Sequence, residues 1–168
     1  MNQINIQYLK TEYGEFILGS YDGKLCMVDF RYRKMRTTVD DRIKKGFYAE
    51  FIEQDNEILQ ITRMQLDEYF NMQRGEFDIP IQMVGTDFQR SVWKALLKVP
   101  YGTTSTYLQL AKDIGNEKAV RAVANANGAN AIGIIIPCHR IIGTNGALTG
   151  YAGGLLLKKR LLELEQKK

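Results

Sequence analysis

Near the start of the chain Ile4, Ile6 and Tyr8 alternate with polar residues, the period-two pattern of a strand with one buried face. Two further apolar runs, 15–20 and 24–30, flank Tyr21-Asp22-Gly23, which predicts a hairpin. Then the period changes. Asn56 is placed to cap a helix running to about residue 73, with Leu59, Met64, Leu66, Tyr69 and Phe70 as its apolar positions. Residues 77–83 read as a short extended segment, and Pro80 confines it to a sheet edge or a linker.

Beyond residue 85 the spacing is helical. Thr86-Asp87-Phe88-Gln89 has the form of a capping box, and Phe88, Val92, Trp93, Leu96 and Leu97 follow at helical intervals, with Trp93 read as core. Pro100-Tyr101-Gly102 ends that helix. Helices over about 106–114 and 118–128, separated by Gly115-Asn116-Glu117, predict a helix-turn-helix, and residues 155–164 a last leucine-rich helix. The second helix of the pair is nearly bare. It carries Ala119, Ala122, Ala124, Ala126, Gly128 and Ala129, and Arg121 is its only long charged side chain past the first turn. Small side chains allow close approach, either by a neighbouring helix of the same domain or by a nucleic-acid groove. The expected fold class is α+β. A small N-terminal α/β domain with a short antiparallel sheet (1–84) precedes a mainly helical, winged-helix-like domain with the helix-turn-helix (85–168).

Composition narrows the function classes. The 168 residues suffice for one medium domain or two small ones, burying about 70% of the unfolded surface. The formal charge of +4 hides an asymmetry: 11 Lys/Arg against 14 Asp/Glu in residues 1–84, and 12 against 5 in 85–168. The basic second half is therefore the half suited to a polyanion. Two cysteines and one histidine exclude a disulfide scaffold and a multi-ligand zinc centre, so no metal is expected and a reducing compartment suits the chain. Residues 1–10 lack the basic start and apolar core of a secretory signal, and no apolar run approaches the ~20 residues of a membrane span. A cytoplasmic protein without membrane association is expected.

The chain's only histidine lies beside a cysteine, in Ile136-Pro137-Cys138-His139-Arg140-Ile141-Ile142. A thiolate is the reactive form of cysteine, and a neighbouring imidazole or cation favours it. On an extended segment adjacent side chains point to opposite faces, so a water or a tight turn would have to link Cys138 to His139. A buried inert thiol beside a satisfied histidine is the alternative, and it is the reading for Cys26 in its apolar strand. The glycine-rich run 143–154 matches neither a Walker A loop nor Gly-x-Gly-x-x-Gly. It reads as a binding loop or lid with Tyr151 as aromatic contact, or as a plain connection.

Pro137-Cys138-His139-Arg140, with Asn130 upstream and Tyr151-Ala152-Gly153-Gly154 downstream, resembles the O6-alkylguanine-DNA alkyltransferase family. The resemblance covers about residues 86–165. It includes Phe88-Gln89, Val92-Trp93, Pro100-Tyr101-Gly102, Tyr107, Ala111, Gly115-Asn116 and Arg121-Ala122-Val123, whereas the N-terminal half offers no diagnostic residues. It implies a DNA repair protein that moves the alkyl group from O6-alkylguanine in duplex DNA irreversibly to its own cysteine. Such a protein acts once per molecule, after flipping the base, and without a cofactor. By position, Cys138 resembles the nucleophile and His139 a general base acting through a water. Glu165 resembles the carboxylate that orients the imidazole, and Tyr107 the tyrosine that assists flipping and gives guanine a proton. Arg121 resembles the finger that enters the base stack, on a helix that meets the minor groove with Ala122. Asn130 resembles the hinge that ties this helix to the cysteine segment, and Tyr151, Ala152 and Gly153 belong to the wall of the base pocket.

The partner implied is double-stranded DNA containing O6-alkylguanine, bound by a monomer. Ala152 departs from the serine of many relatives, so one hydrogen bond near the substrate O6 is lost. The structural zinc of some relatives, held by N-terminal Cys and His, is not expected with Cys26 alone in that half, and the adaptive-response relatives' extra zinc-cysteine domain exceeds this length and cysteine count. Two rival readings remain. A non-catalytic alkyltransferase-like protein would bind alkylated DNA and signal to other repair, but such proteins replace the cysteine that this chain keeps. A Cys-His protease leaves the helix of Arg121 unexplained, and its histidine would not directly follow the thiol.

Overall fold

Alternation in the first residues builds a long strand. In the computed structural model, which describes residues 2–167, β1 (Asn2–Thr11) buries Ile4 and Ile6 but leaves Tyr8 38% exposed. It pairs antiparallel with β2 (Gly14–Tyr21), which pairs antiparallel with β3 (Lys24–Phe30). Asp22 and Gly23, at φ 52° and 76°, form the two-residue turn between β2 and β3. Positive φ at both positions matches the right-handed twist of the flanking strands.

The expected antiparallel sheet gains a fourth strand that runs parallel to its neighbour. β4 (Ala49–Glu53) lies parallel to β1, giving the order β3-β2-β1-β4. A parallel neighbour needs a crossover, and α1 (Arg36–Phe47) lies in the connection that leads into β4. Its buried stripe is only Val39, Ile43 and Phe47 among eight polar or charged residues, too thin a signal for the pattern to announce. α2 (Glu57–Phe70) begins as expected, with the Asn56 side chain accepting from the Leu59 amide at 2.9 Å. Leu59, Leu66, Tyr69 and Phe70 are buried, but Met64 faces outward at 54% exposure. Residues 77–83 make a single parallel bridge to β3. The Leu25 amide donates to the Pro80 carbonyl and the Gln82 amide to the Leu25 carbonyl, each at 2.8 Å, which covers the sheet edge without requiring an N–H from proline.

Two compact units divide the chain, Met1–Gly85 with the four-stranded sheet and Thr86–Lys168 with most of the helix. In the second, Thr86 and Gln89 form the full capping box of α3 (Asp87–Leu96). Trp93 is buried, and its indole N–H donates to the Ala126 carbonyl at 2.8 Å. Thr106 caps α4 (Tyr107–Asp113), Gly115 turns the chain at φ 77°, and a 3-10 turn at Glu117–Ala119 leads into α5 (Val120–Gly128). Helices α3, α4 and α5 pack on one another. The small-residue helix packs against its neighbours on one side and is open on the other. Val123, Ala126 and Asn127 face inward, whereas Arg121, Ala122, Asn125 and Gly128 are exposed. Two short parallel strands, β5 (Ser105–Thr106) and β6 (Ile141–Ile142), bring the start of α4 beside the segment that follows Cys138, and α6 (Leu155–Gln166) closes the unit. Among the described residues no helix is long and apolar enough to cross a membrane.

Candidate active site

Every residue from Ala131 to Arg140 is buried, because Ile132, Ile134, Ile135 and Ile136 drive the segment into the core of its unit. Its backbone polar groups then need partners, and Asn130 supplies several. Its Nδ2 donates to the Ile136 carbonyl at 2.9 Å and to that of Ile132 at 3.4 Å, while its Oδ1 accepts from the Ile132 amide at 3.0 Å. Between those anchors Ile134 sits at φ 69°, a left-handed conformation that strains a β-branched residue by roughly 1–3 kcal/mol. Strain of this size persists only where the surrounding structure over-determines it.

Cys138–Arg140 form a 3-10 turn, one of the two ways left open for linking Cys138 to His139. Pro137 cannot donate a backbone N–H, and its carbonyl accepts from the Arg140 amide at 3.0 Å, which tightens the chain at the thiol. Cys138 and His139 are both buried. α6 packs on this turn and delivers Glu165. His139 Nε2 lies 2.7 Å from Glu165 Oε2, and Arg140 donates to the same carboxylate through Nε (2.7 Å) and Nη2 (3.1 Å) while its Nη1 reaches the Val99 carbonyl at 2.7 Å.

Burial alone would raise the Glu165 pKa, but the hydrogen bonds from His139 and Arg140, with their charges, outweigh it and hold the carboxyl at about 2. Burial is also the main effect on His139 and lowers its pKa, assisted by the charges of Arg140 and Lys158 and opposed by Glu165. An ionised Glu165 is acceptor-only, so His139 Nε2 carries the proton and donates it. His139 Nδ1 is left as a bare acceptor, buried and without a partner among the described residues. The ring therefore offers an open lone pair at Nδ1.

These shifts fix the response to acid. The native His139 binds its proton less readily than an unfolded histidine near 6.5, so stability is expected to fall as pH drops below that value. Glu165 contributes stability above its ordinary value of 4.5, and that contribution is lost as pH falls toward 2. Urea unfolding across pH 7.5 to 3 is expected to show a continuous decline from about 6.5 downward. A flat profile to pH 5 would contradict the neutral, buried His139.

The other expected residues are placed as follows. The Tyr151 ring stands edge-on to His139, with centroids 6.5 Å apart, and Ala152 and Gly153 beside it are half-buried. The Tyr107 hydroxyl at the start of α4 donates to the Thr149 carbonyl at 3.3 Å. Arg121 and Ala122 lie apart from the thiol, on the exposed side of α5. Three residues were missed or left without a role. Lys158 is fully buried, and its Nζ donates to the carbonyls of Ile141 (2.5 Å) and Thr149 (2.7 Å), joining β6 to the glycine-rich loop. Burial lowers its pKa, against the charge of Cys138. It precedes Glu165 by seven residues, two helical turns, which places both on the buried stripe of α6, a spacing legible in the sequence. Arg140, quoted only as part of the motif, is the clamp on Glu165. Asn127 is the third, and its amide Nδ2 donates to the Cys138 carbonyl at 3.4 Å. Among the described residues no group of His, Cys, Asp and Glu has the composition of a metal site.

A four-stranded sheet unit and a helix-turn-helix unit whose core holds Cys138 beside the His139–Glu165 pair define a two-unit protein with a buried thiol site. Two family models match in that order: 6-O-methylguanine DNA methyltransferase, ribonuclease-like domain, over residues 4–83, and 6-O-methylguanine DNA methyltransferase, DNA binding domain, over 87–167. The chain belongs to the 6-O-methylguanine DNA methyltransferase family. It is 44% identical to the methylated-DNA--protein-cysteine methyltransferase of Methanosarcina acetivorans over 152 residues, 90% of this chain and 92% of that one. It is 42% identical to the methyltransferase of the same name from Mycobacterium leprae, over 97% and 93% of the two chains. Among solved structures, Mycobacterium tuberculosis OGT in complex with DNA superposes with a TM-score of 0.81 at 37% identity, covering 98% of this chain and 92% of that one.

Proposed function

We propose that this protein repairs O6-alkylguanine in duplex DNA by transferring the alkyl group to Cys138. The observation that carries the reading is the His139–Glu165 pair at 2.7 Å, which leaves a bare Nδ1 on the residue next to the thiol. His139 takes the Cys138 proton through a water, and Glu165 stabilises the imidazolium that results. The thiolate attacks the alkyl carbon in line. An S–C bond forms, the C–O6 bond breaks, and its electron pair passes to O6 as guanine takes a proton from the Tyr107 hydroxyl, which must first leave the Thr149 carbonyl. The base has to be extruded for O6 to reach a buried thiol. Arg121, exposed on α5 with Ala122 beside it, fills the gap, while Tyr151, Ala152 and Gly153 wall the flipped base. Asn130 ties α5 to the cysteine segment.

The product is a thioether, which water does not cleave at neutral pH, so each molecule reacts once. The retained Cys138 speaks against a purely binding role. Double-stranded DNA is the partner, and a monomer in the cytoplasm, where thiols stay reduced, suits the chemistry. With excess duplex carrying labelled O6-methylguanine, protein-bound label is expected to rise to one methyl per molecule and stop. Continued turnover, or release of methanol, would overturn the reading.

A further inference from the structure

Asn127 lies one turn before Asn130, on the inward side of α5, and is 4% exposed. Its Nδ2 donates to the carbonyl of Cys138, yet its Oδ1 is buried and has no partner among the described residues. His139 Nδ1 is in the same condition. A buried polar atom left unsatisfied costs about 1–3 kcal/mol, and here two of them belong to residues that adjoin Cys138, Asn127 through its hydrogen bond to the Cys138 carbonyl and His139 as the next residue in the chain. Both are acceptors: Oδ1 because it is an amide oxygen, Nδ1 because the imidazole proton sits on Nε2 facing Glu165. Two acceptors cannot satisfy each other. A water, with two hydrogens to give and lone pairs to receive, satisfies both and still accepts from a thiol.

We propose that Asn127 is a positioning residue for the deprotonation of Cys138. The water that relays the proton gives one hydrogen to His139 Nδ1 and the other to Asn127 Oδ1, and it accepts from the Cys138 S–H. During transfer the thiol proton passes to the water oxygen as one water hydrogen moves to Nδ1. A thiolate and an imidazolium result, and the water is regenerated with its second hydrogen still on Asn127. The same amide fixes the Cys138 carbonyl through Nδ2, so one side chain sets both the peptide and the water at the nucleophile. Asn127 also places this control on α5, the helix that bears Arg121. The other groups acting on Cys138 and His139 are Glu165 and Lys158 from α6, Arg140 on the turn itself and Tyr151 on the loop, with Lys158 in turn bonded to the Thr149 carbonyl. From α5, Asn127 is the buried polar side chain, and Asn130 just beyond the end of that helix is a second buried amide; neither is charged.

The inference rests on Cys138 and His139 acting as proposed above, so its test reads the thiol separately from the transfer. Alkylation of Cys138 by iodoacetamide is followed by mass against pH. Cys26, buried and with its thiol pushed up to about 12, stays silent over that range. Asn127→Leu, close in size and apolar, is expected to move the alkylation midpoint up by about one pH unit. Methyl transfer at neutral pH should fall about tenfold and recover at higher pH. Asn127→Ala, a substitution favourable in a helix, is expected to shift the profile in the same direction and decides the matter where the leucine variant folds poorly. A folded variant whose profile superimposes on the unsubstituted protein, or loses rate equally at every pH, overturns the inference. Failure of the unsubstituted protein to accept methyl from DNA would instead overturn the transfer reading, with the iodoacetamide profile still deciding the role of Asn127.

Discussion

Cys138→Ser is expected to reduce methyl transfer by more than about 10⁴-fold, the scale of removing a covalent nucleophile. The hydroxyl fits the buried thiol site, so the turn at Cys138–Arg140 and its clamp on Glu165 should persist. Its proton, however, is far harder to remove, and a neutral imidazole held below its ordinary pKa is too weak a base to supply an alkoxide. Binding to an O6-methylguanine duplex is expected to stay within a few-fold, because Cys138 is buried away from the exposed face of α5. Single-turnover transfer measured beside equilibrium binding separates the two. Transfer that survives the substitution would remove Cys138 as the acceptor.

The second large effect is expected at Arg121, and it should depend on the substrate. Its side chain is exposed and forms no hydrogen bond or ion pair among the described residues, so Arg121→Ala should leave stability unchanged. Extruding a base costs a few kcal/mol of stacking and pairing, and a side chain that fills the gap recovers part of it. Losing that filler is expected to slow repair of duplex on the order of tenfold to a hundredfold. Reaction with a free O6-alkylguanine base, which needs no extrusion, should change less than about twofold. Equal losses on both substrates would remove the finger role.

Local signals in the sequence translated directly into structure. Asn56, Thr86 and Thr106 cap their helices because short polar side chains before an apolar-periodic run have orphan amides within reach. Asp22-Gly23 makes its hairpin for an equally local reason. What stayed hidden depends on partners distant in the chain. The parallel seat of β4 beside β1 comes from a crossover whose helix shows only three buried positions. Tyr8 and Met64 hold apolar places in the pattern, yet both stay exposed, and the Tyr8 ring carries the Arg31 guanidinium on its face.

The site divides in the same way. Cys138 and His139 stand out as a dipeptide, but the 3-10 turn that aims them follows from Pro137 and from contacts to α6. Glu165 entered through family resemblance, and only the folded chain shows Arg140 holding it from the other side. Lys158 was hidden among leucines in a run of basic residues. Its position two turns before Glu165 marks it as inward-facing once Glu165 is known to be buried.

The most direct test of the account is the intact mass of the protein after incubation with duplex DNA containing O6-methylguanine, followed by peptide mapping. The expected result is a complete shift by one CH2 unit, carried by the peptide that contains Cys138 and absent from the peptide that contains Cys26. An unchanged mass in protein that binds the methylated duplex tightly would contradict it, and would assign the Cys-His-Glu site to recognition without transfer.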